Sequence, residues 1–287
     1  MKAGFIGLGN LGKTMAIRLI SEGTELIVWN RTREKAADLG AKIAEEPSKV
    51  LSDAEVVFLN LFDSDAVNEV ITGRGGLLEG DCKGKVIIDT TTNHFDRVIY
   101  FAELLKKHGA YYLEAPVLGS VVPASLGTLT VLVSGEMGAY ETAKPFLEKI
   151  GKNIFYLRER TYACKMKLIN NLVLGAFMTA LAEAVVFGEG AGIDKETVLD
   201  ILSAGAGNSA VLNAKKEKIL KEDFSPHFSS GLIYKDLHYM QDLARSMKRP
   251  LLTGSLAKEI FGMTFAKKID GHDLSGIYRI IKEYSGC

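Results

Sequence analysis

The sequence is poor in cysteine, in net charge and in long uncharged apolar segments, and each shortage excludes a class of protein. Its three cysteines, Cys82, Cys164 and Cys287, form no metal-spaced cluster, and their odd number is typical of a reducing compartment. The 35 basic residues balance 35 acidic ones, which indicates neither a nucleic-acid surface nor an anionic-membrane surface. No uncharged apolar run reaches the roughly 18 residues that a membrane span needs. Because the chain begins with a strand pattern rather than a signal peptide, we predict a cytoplasmic protein.

A glycine-rich motif follows the first apolar run. Residues 2–8 lead directly into Gly7, Gly9 and Gly12 of a GxGxxG sequence and then into a helix pattern. The first glycine permits a tight turn, the second lets the backbone approach a pyrophosphate, and the third lets the helix pack against the strand. The pyrophosphate would bind at the helix N-terminus. Because a second strand pattern follows the helix, we predict a dinucleotide-binding site that also includes Asn10 and Leu11.

The second strand, residues 25–29, ends without the acidic residue that an NAD site places there to hold the ribose 2′-hydroxyl. Asn30, Arg31 and Thr32 stand in its place. Arg31 can pair bidentately with a 2′-phosphate, and no carboxylate repels that phosphate. These three residues therefore predict NADP as the cofactor. The alternative interpretation is that Arg31 and Arg33 are solvated charges.

Strand and helix patterns alternate up to about residue 158, and only helix patterns follow. This alternation is typical of a parallel sheet covered by helices. From Tyr162 to Glu189 an alanine- and leucine-rich helix pattern of about seven turns has no strong breaker. We therefore predict an α/β protein with an N-terminal Rossmann domain, residues 1–160. An all-α domain, residues 161–287, would follow, with the long helix joining the two.

Residues at the carboxyl ends of the strands are candidates for ligand contacts, because ligands of open α/β sheets bind there. The predicted cleft lies between the two domains. Residues 58–63 include Leu61 and Phe62, whose backbone would flank the nicotinamide ribose. Residues 89–92 offer hydroxyl groups to the cofactor or substrate. Residues 114–120 precede a loop of small residues, 127–130, whose N–H groups would hold a carboxylate.

The long helix carries Lys167 and Asn171, which are four residues apart and share one face. Hydride reduction of a carbonyl leaves an alkoxide that needs a proton, which a desolvated lysine can supply while an amide holds the oxygen. Taken alone, Lys167 is most simply a solvated surface lysine. The adjoining Asn170 favours a functional face, because two asparagines are poor helix formers inside an apolar helix. We expect Lys165 to be exposed.

In combination these segments resemble the β-hydroxyacid dehydrogenase family over the whole chain. The resemblance rests on the GxGxxG motif, the APVLG and GTLT segments, the KLINN helix and the KDL segment at Lys235. It implies an NADP-dependent oxidoreductase that oxidises the CH–OH group of small hydroxy acids or, in the reverse direction, reduces the corresponding aldehyde acids. It also implies assembly as a homodimer or homotetramer. It also implies Lys167 as the acid/base, Asn171 as the residue that orients substrate, Lys235 beside the cofactor, and Thr92 at the substrate and cofactor. The ending of the second strand looks most like the NADPH-dependent glyoxylate/succinic semialdehyde reductase branch.

The substrate loop departs from this family at one position. The family commonly reads PVSGG or PVSGS, whereas residues 116–120 read PVLGS. Leu118 removes a hydroxyl that would help to bind a substrate carboxylate, which leaves the N–H groups of Gly119 and Ser120. Loss of a hydrogen-bonding partner discriminates strongly between related substrates, so the sequence leaves the substrate open.

Two other functions fit parts of the pattern. An imine reductase shares the architecture and NADPH but usually lacks a lysine at the position of Lys167. A non-catalytic dinucleotide-binding module, as in chromatin-associated members, loses that lysine or gains basic and reader segments, and neither is seen. We predict no metal site, because His227 and His238 form no ligand-spaced pair. The charged run 215–221 is interpreted as a solvated helix face.

Overall fold

In the computed structural model, short apolar strands alternate with helices in the first of two units, residues 1–167. The second unit comprises residues 168–287. The structure describes residues 2–286. The strands are β1 (Lys2–Ile6), β2 (Glu25–Trp29), β3 (Lys42–Ile43), β4 (Val56–Leu59), β5 (Val86–Asp89), β6 (Tyr111–Glu114), β7 (Val117–Leu118), β8 (Leu129–Val133) and β9 (Gly151–Tyr156). The helices of this unit are α1 (Asn10–Ser21), α2 (Pro47–Asp53), α3 (Ser64–Thr72), α4 (Phe95–Lys107), α5 (Val121–Ser125), α6 (Met137–Ile150) and the beginning of α7 (Tyr162–Gly190). The sequence-based division between residues 160 and 161 stays a prediction.

The first six strands form one parallel sheet in the order β3-β2-β1-β4-β5-β6. This is the strand order of a Rossmann domain, in which ligands bind beyond the carboxyl ends of the strands. Every residue of β4 and β5 is buried, as expected where helices cover both faces of a parallel sheet. The predicted fold class is confirmed, and the ends of β1, β2, β4, β5 and β6 meet along one edge.

The last strands predicted from the sequence do not extend this sheet. Instead β7, β8 and β9 form a separate sheet in which β7 and β8 are antiparallel while β8 and β9 are parallel. An apolar run of strand length predicts a buried strand, but it does not indicate the direction of that strand or which strand lies beside it. The two-residue β7 is too short to give a periodic signal.

The second unit is helical and consists of the rest of α7 with five further helices. These are α8 (Lys195–Ala204), α9 (Ala210–Lys221), α10 (Ser230–Ser246), α11 (Leu252–Ala266) and α12 (Ile277–Tyr284). Its core includes Met178, Ala182 and Val185 of α7, packed with Phe261 and Tyr278. The predicted all-α architecture is confirmed.

Within residues 2–286, α7 is the one helix long and apolar enough to cross a membrane by length and composition. Its most apolar 18-residue window has a mean hydropathy of 1.7 and is 39% buried inside the protein. A helix in the core of a globular protein satisfies the same two criteria, and α7 contributes to such a core. The predicted absence of a membrane partner stays a prediction.

The interpretation of residues 215–221 as a solvated face was wrong at two lysines of α9. Lys215 is buried and forms an ion pair with Asp273 at 2.8 Å. Lys218 is also buried, and its ammonium donates to the carbonyl oxygen of Ser225 at 2.6 Å. A long lysine stem packs well against apolar neighbours when its charged end finds an acceptor.

Candidate active site

The glycine-rich loop between β1 and α1 has a backbone that fits a pyrophosphate. Gly7 has φ +98°, and a Cβ there would lie 2.2 Å from the carbonyl oxygen of Asn60. A Cβ on Gly12 would lie 2.1 Å from the carbonyl oxygen of Gly7, so α1 begins in close contact with the loop. At Gly9, which is exposed, the Cβ position has nothing within 4 Å, and no side chain caps α1. The positive end of the α1 dipole therefore has room for an anion. The first turn of α1 contains Asn10, Leu11 and Gly12.

Asn30 ties the end of β2 to the glycine-rich loop. Its Oδ1 accepts the N–H of Leu8 at 2.8 Å, and its Nδ2 donates to the carbonyl oxygen of Thr32 at 2.8 Å. The amide of Asn30 is thus engaged in holding the loop. Arg31 and Thr32 are both exposed, so the Arg31 guanidinium is accessible where the 2′-phosphate is predicted.

The three threonines that follow β5 differ in their surroundings. Thr90 donates to the carbonyl oxygen of the last residue of β4 at 2.7 Å, and Thr91 accepts the N–H of Leu61 at 3.0 Å. These two hydroxyls therefore fix the ends of β4 and β5 against each other. Thr92 is half-buried, and Phe62 is 56% exposed.

Two buried carboxyl groups end neighbouring strands, Asp89 on β5 and Glu114 on β6, and the two residues pair in register. Asp89 accepts hydrogen bonds from the N–H of Thr91 at 2.9 Å, from the amide of Asn93 at 2.8 Å and from the hydroxyl of Tyr112 at 2.8 Å. Burial raises the pKa of Asp89, although each of these hydrogen bonds acts in the opposite direction. Asp89 therefore anchors the loop that carries the threonines.

Lys167 lies beside the predicted substrate loop. Its side chain is 8% exposed, and its Nζ donates to the carbonyl oxygen of Val117 at 2.8 Å. Leu118 and Ser120 are half-buried, whereas Gly119 is exposed with φ +117°. The ammonium thus contacts Val117 within the substrate loop, and the structure brings together the predicted proton donor and the predicted carboxylate-binding segment.

Lys165 was expected to be exposed, and this expectation was wrong. It is half-buried, and its Nζ lies 5.9 Å from the ring centroid of Phe95. An ammonium at this distance from an aromatic face is attracted to the ring, which explains the partial burial.

Glu114 holds the N-terminus of α7, a role that the sequence did not reveal. Its carboxylate accepts the N–H of Thr161, and it accepts the N–H of Cys164 at 2.8 Å. The hydroxyl of Ser134 accepts the N–H of Ala163 at 3.1 Å, and the N–H of Ser134 donates to the Glu114 carbonyl oxygen at 3.0 Å. Burial raises the pKa of Glu114 to about 7, against the opposite effect of the two backbone N–H groups. An acid that closes an otherwise apolar strand is the signal that could have identified it.

In the second unit, Asn171 is fully buried against a carboxylate. Its Nδ2 donates to Asp236 Oδ2 at 2.6 Å, and its Oδ1 accepts from the amide of Asn170 at 3.1 Å. The ammonium of Lys235 lies 3.0 Å from Asp236 Oδ1. Asp236 is therefore the polar partner that an amide inside an apolar helix needs. The placement of Lys235 beside the cofactor stays a prediction.

Two family models match the chain. Residues 2–157 match the NAD binding domain of 6-phosphogluconate dehydrogenase. Residues 163–281 match the NAD-binding domain of NADP-dependent 3-hydroxyisobutyrate dehydrogenase. The two matches follow one another along the chain and together span nearly all of it.

Curated relatives match over nearly the whole chain. The 2-(hydroxymethyl)glutarate dehydrogenase of Eubacterium barkeri is 32% identical over 100% of this chain and 96% of its own length. Glyoxylate/succinic semialdehyde reductase 2, chloroplastic, of Arabidopsis thaliana is 32% identical over 97% of this chain and 79% of its own length. The cytokine-like nuclear factor N-PAC of Gallus gallus is 34% identical over 97% of this chain, which spans about half (51%) of that relative.

Solved structures share the fold. A 3-hydroxyisobutyrate dehydrogenase from Salmonella typhimurium has a TM-score of 0.91 at 24% identity, covering 98% of this chain and 99% of the other. Psf3 in complex with NADP+ and 2-OPP has a TM-score of 0.89 at 28% identity, covering 97% and 99%. The first likeness shows the arrangement of the backbone alone, and the second is to a protein seen with a nicotinamide dinucleotide.

Proposed function

Because the chain belongs to the β-hydroxyacid dehydrogenase family, we propose that it is an NADPH-dependent reductase of small aldehyde acids, such as glyoxylate and succinic semialdehyde. The reverse reaction would be the oxidation of a 3-hydroxy acid. One observation carries the proposal: the buried Lys167 ammonium donates to the Val117 carbonyl oxygen within the substrate loop, residues 116–120. A buried cation beside a segment that contains the exposed Gly119 is suited to an anionic substrate with a reducible carbonyl.

The cofactor would be held by residues whose geometry fits it. The first turn of α1 and the open position at Gly9 would receive the pyrophosphate, and Arg31 with Thr32 would hold the 2′-phosphate. Leu61, Phe62 and Thr92 would lie along the nicotinamide half. When bound, the dinucleotide supplies the hydride.

The protein's own residues would handle the charge and the proton. The N–H groups of Gly119 and Ser120 would bind the substrate carboxylate, which orients the carbonyl. Lys167 would give a proton from its Nζ to the carbonyl oxygen as negative charge develops there. Asn171, one turn further along the same face of α7, would position that oxygen. The low exposure of Lys167 excludes water that would otherwise screen its charge.

Replacing Arg31 by aspartate should change the cofactor preference. The variant loses a bidentate partner for the 2′-phosphate and gains a repelling charge, while NADH has no phosphate at that position. We expect the Kd for NADPH to rise about tenfold to a hundredfold, the loss typical of hydrogen bonds to a charged group. The Kd for NADH should stay nearly unchanged. Fluorescence titration with both dinucleotides measures the two values.

Arg74→Asp provides the control for net charge, because it makes the same change at another exposed arginine of the first unit. It should leave both dissociation constants nearly unchanged. If Arg31→Asp weakens both cofactors equally, the phosphate is recognised elsewhere and the NADP assignment is wrong.

Replacing Leu118 by serine should favour short, polar substrates. A hydroxyl at this half-buried position adds a donor for the substrate carboxylate. We expect the KM for glyoxylate to fall about tenfold with little change in kcat, because the bond forms equally in the ground state and the transition state. Leu118→Val keeps the apolar character and should leave this KM unchanged. A serine variant without a lower KM would show that position 118 does not contact the carboxylate.

The test of the function is NADPH oxidation, with NADH in parallel, against four aldehyde acids and a cyclic imine. The acids are glyoxylate, succinic semialdehyde, methylmalonate semialdehyde and tartronate semialdehyde. Turnover of an acid with NADPH supports the proposal. Turnover of the imine alone would contradict it and favour an imine reductase.

A second candidate is a non-catalytic dinucleotide-binding module. It is favoured by the likeness to N-PAC, which is named a nuclear factor and matches over 97% of this chain. Tight NADPH binding without turnover of any substrate would support this candidate. The presence of Lys167 at a buried position beside the loop favours the enzyme.

We also propose that the protein is a homodimer or homotetramer. The second unit exposes large apolar side chains, Phe187 of α7 at 71% and Leu252 and Leu256 of α11 at 80% and 63%. Leu252 and Leu256 are four residues apart and so lie on one helix face. Apolar patches of this kind mark surfaces that proteins cover on association.

A further inference from the structure

We propose that Glu114 is a positioning residue, whose carboxylate clamps the first turn of α7 and thereby fixes the place of Lys167. The inference rests on the proposed function, because it concerns the residue that we assign as proton donor. All the residues involved lie in the first unit. Glu114, Thr161 and Cys164 lie outside the GxGxxG, APVLG, GTLT, KLINN and KDL motifs.

The clamp joins one short segment of the sheet region to one turn of helix at two points. At the first point, the Glu114 carboxylate accepts the N–H groups of Thr161 and Cys164. At the second, Lys167 donates to the carbonyl oxygen of Val117, three residues after Glu114. The ammonium can keep this contact only while the start of α7 stays in register with the segment 114–117.

The ionised carboxylate is the form that suits this clamp. A carboxylate has two acceptor oxygens, and each receives one backbone N–H at the positive end of the helix dipole. Protonation turns one oxygen into a donor, which faces another donor. Thr161, the residue immediately before α7, has φ +72°, and a threonine in this strained conformation needs neighbours that hold it in place.

The groups around Glu114 make its charge sensitive to pH near neutrality. Asp89 lies opposite on β5, the Cys164 thiol faces it from α7, and Tyr112 precedes it on β6. Lys165 and Lys167 are the cations of the same helix segment. Burial is the dominant influence, and with Asp89 it raises the pKa of Glu114 to about 7. The clamp therefore loses its charge as the pH falls below neutrality.

The sign of the stability effect follows from the raised pKa. Glu114 binds its proton more tightly in the folded protein than in the unfolded chain, where its pKa has the ordinary value of 4.5. Its contribution to the free energy of unfolding is present below that value and is lost as the pH rises through about 7. The wild-type thermal midpoint should therefore fall across this range relative to that of Glu114→Gln, which cannot ionise.

The test compares pH–rate profiles for wild type, Glu114→Gln and Ser134→Ala in the direction of carbonyl reduction. In this direction the loss of the Lys167 proton lowers turnover only as the pH rises, so an acid limb reports on another group. We expect wild-type kcat to decline below about pH 7, and Glu114→Gln to lack this limb. Its kcat should be about tenfold to a hundredfold lower, the usual effect of a displaced catalytic group, with the Kd for NADPH unchanged. Ser134→Ala, which removes only the acceptor for Ala163, should keep the limb.

Two outcomes of the kinetic comparison would overturn the proposal. Glu114→Gln with wild-type kcat and an unaltered acid limb would show that the clamp does not affect Lys167. Lower kcat and weaker NADPH binding together, with the limb retained, would show a merely structural role. Absence of turnover by the wild type on every substrate would instead refute the proposed function. Amide exchange at Thr161 and Cys164 then tests the clamp directly: faster exchange in Glu114→Gln supports it, and unchanged exchange overturns it.

Discussion

Lys167→Ala should lower kcat for aldehyde-acid reduction about a hundredfold to ten-thousandfold, the contribution typical of a general acid. The substitution removes the buried ammonium that donates to the Val117 carbonyl oxygen. The Kd for NADPH should change little, because the predicted phosphate contacts lie at the ends of β1 and β2. Stopped-flow measurement of hydride transfer under single-turnover conditions separates the chemical step from product release.

Lys165→Ala is the matched control for this prediction. It removes a lysine from the same helix turn whose ammonium lies over the Phe95 ring instead of at the substrate loop. We expect kcat to stay within about twofold of wild type, because only the weak attraction to an aromatic ring is lost. Equal losses in both variants would mean that the first turn of α7 tolerates no truncation, and full activity of Lys167→Ala would exclude the lysine as the proton donor.

Asp273→Ala should lower the free energy of unfolding by about 3–5 kcal/mol, the usual cost of leaving one charge of a buried pair without its partner. Asp273 is fully buried and receives the Lys215 ammonium at 2.8 Å and the N–H of His227 at 3.0 Å. It also receives the N–H and hydroxyl of Ser275. Alanine leaves the buried cation and these donors without an acceptor. Urea denaturation followed by circular dichroism measures the loss.

The ion pair of half-buried Lys216 and exposed Asp200 supplies the control, because it joins the same two residue types at the surface. Asp200→Ala should have little effect. The double replacement Lys215→Met with Asp273→Leu should recover much of the stability, since it removes both charges. An Asp273→Ala protein as stable as wild type would show that the charge of Lys215 is satisfied by water.

The pKa of Asp273 gives this prediction a pH dependence. Burial alone would raise the pKa, but Lys215 and Ser275 outweigh it and the pKa is lowered. A lowered pKa means that the contribution of Asp273 to stability is present above its ordinary value of 3.8 and is lost as the pH falls through the value in the folded protein. The difference between wild type and Asp273→Ala should therefore narrow in acid.

The Rossmann domain could be predicted because its signals are local. The glycine spacing, the apolar runs and the helix patterns each lie within a short window, and each agrees with its neighbours. The strand order and the parallel pairing then follow from the fold class. The separate sheet of β7, β8 and β9 could not be predicted, because the local pattern of an apolar run does not show which strand it will join.

Roles that depend on contacts between distant residues were harder to infer. The sequence did not indicate that the amide of Asn30 joins Leu8 to Thr32, and the position of Asn30 at the cofactor stays a prediction. Lys215 was interpreted as solvated, because its partner Asp273 lies 58 residues away along the chain. Glu114 lies 50 residues before Cys164. Lysine and glutamate residues are mostly exposed in proteins. Only the folded chain shows where a partner distant in sequence allows one of them to be buried.

The contacts at the start of α7 make the thiol of Cys164 chemically unreactive. The Cys164 thiol is buried there, donates to the carbonyl oxygen of Thr161 at 3.3 Å and lies against the Glu114 carboxylate. Burial, followed by the negative charge of Glu114, strongly raises the pKa of this thiol. The thiolate is the species that reacts with oxidants and alkylating agents. Because the carboxylate of Glu114 helps to keep this thiol protonated, the group that holds the helix also lowers the reactivity of the sulfur. The protein thus carries a nucleophilic sulfur three residues before Lys167, the proposed proton donor, and keeps that sulfur unreactive.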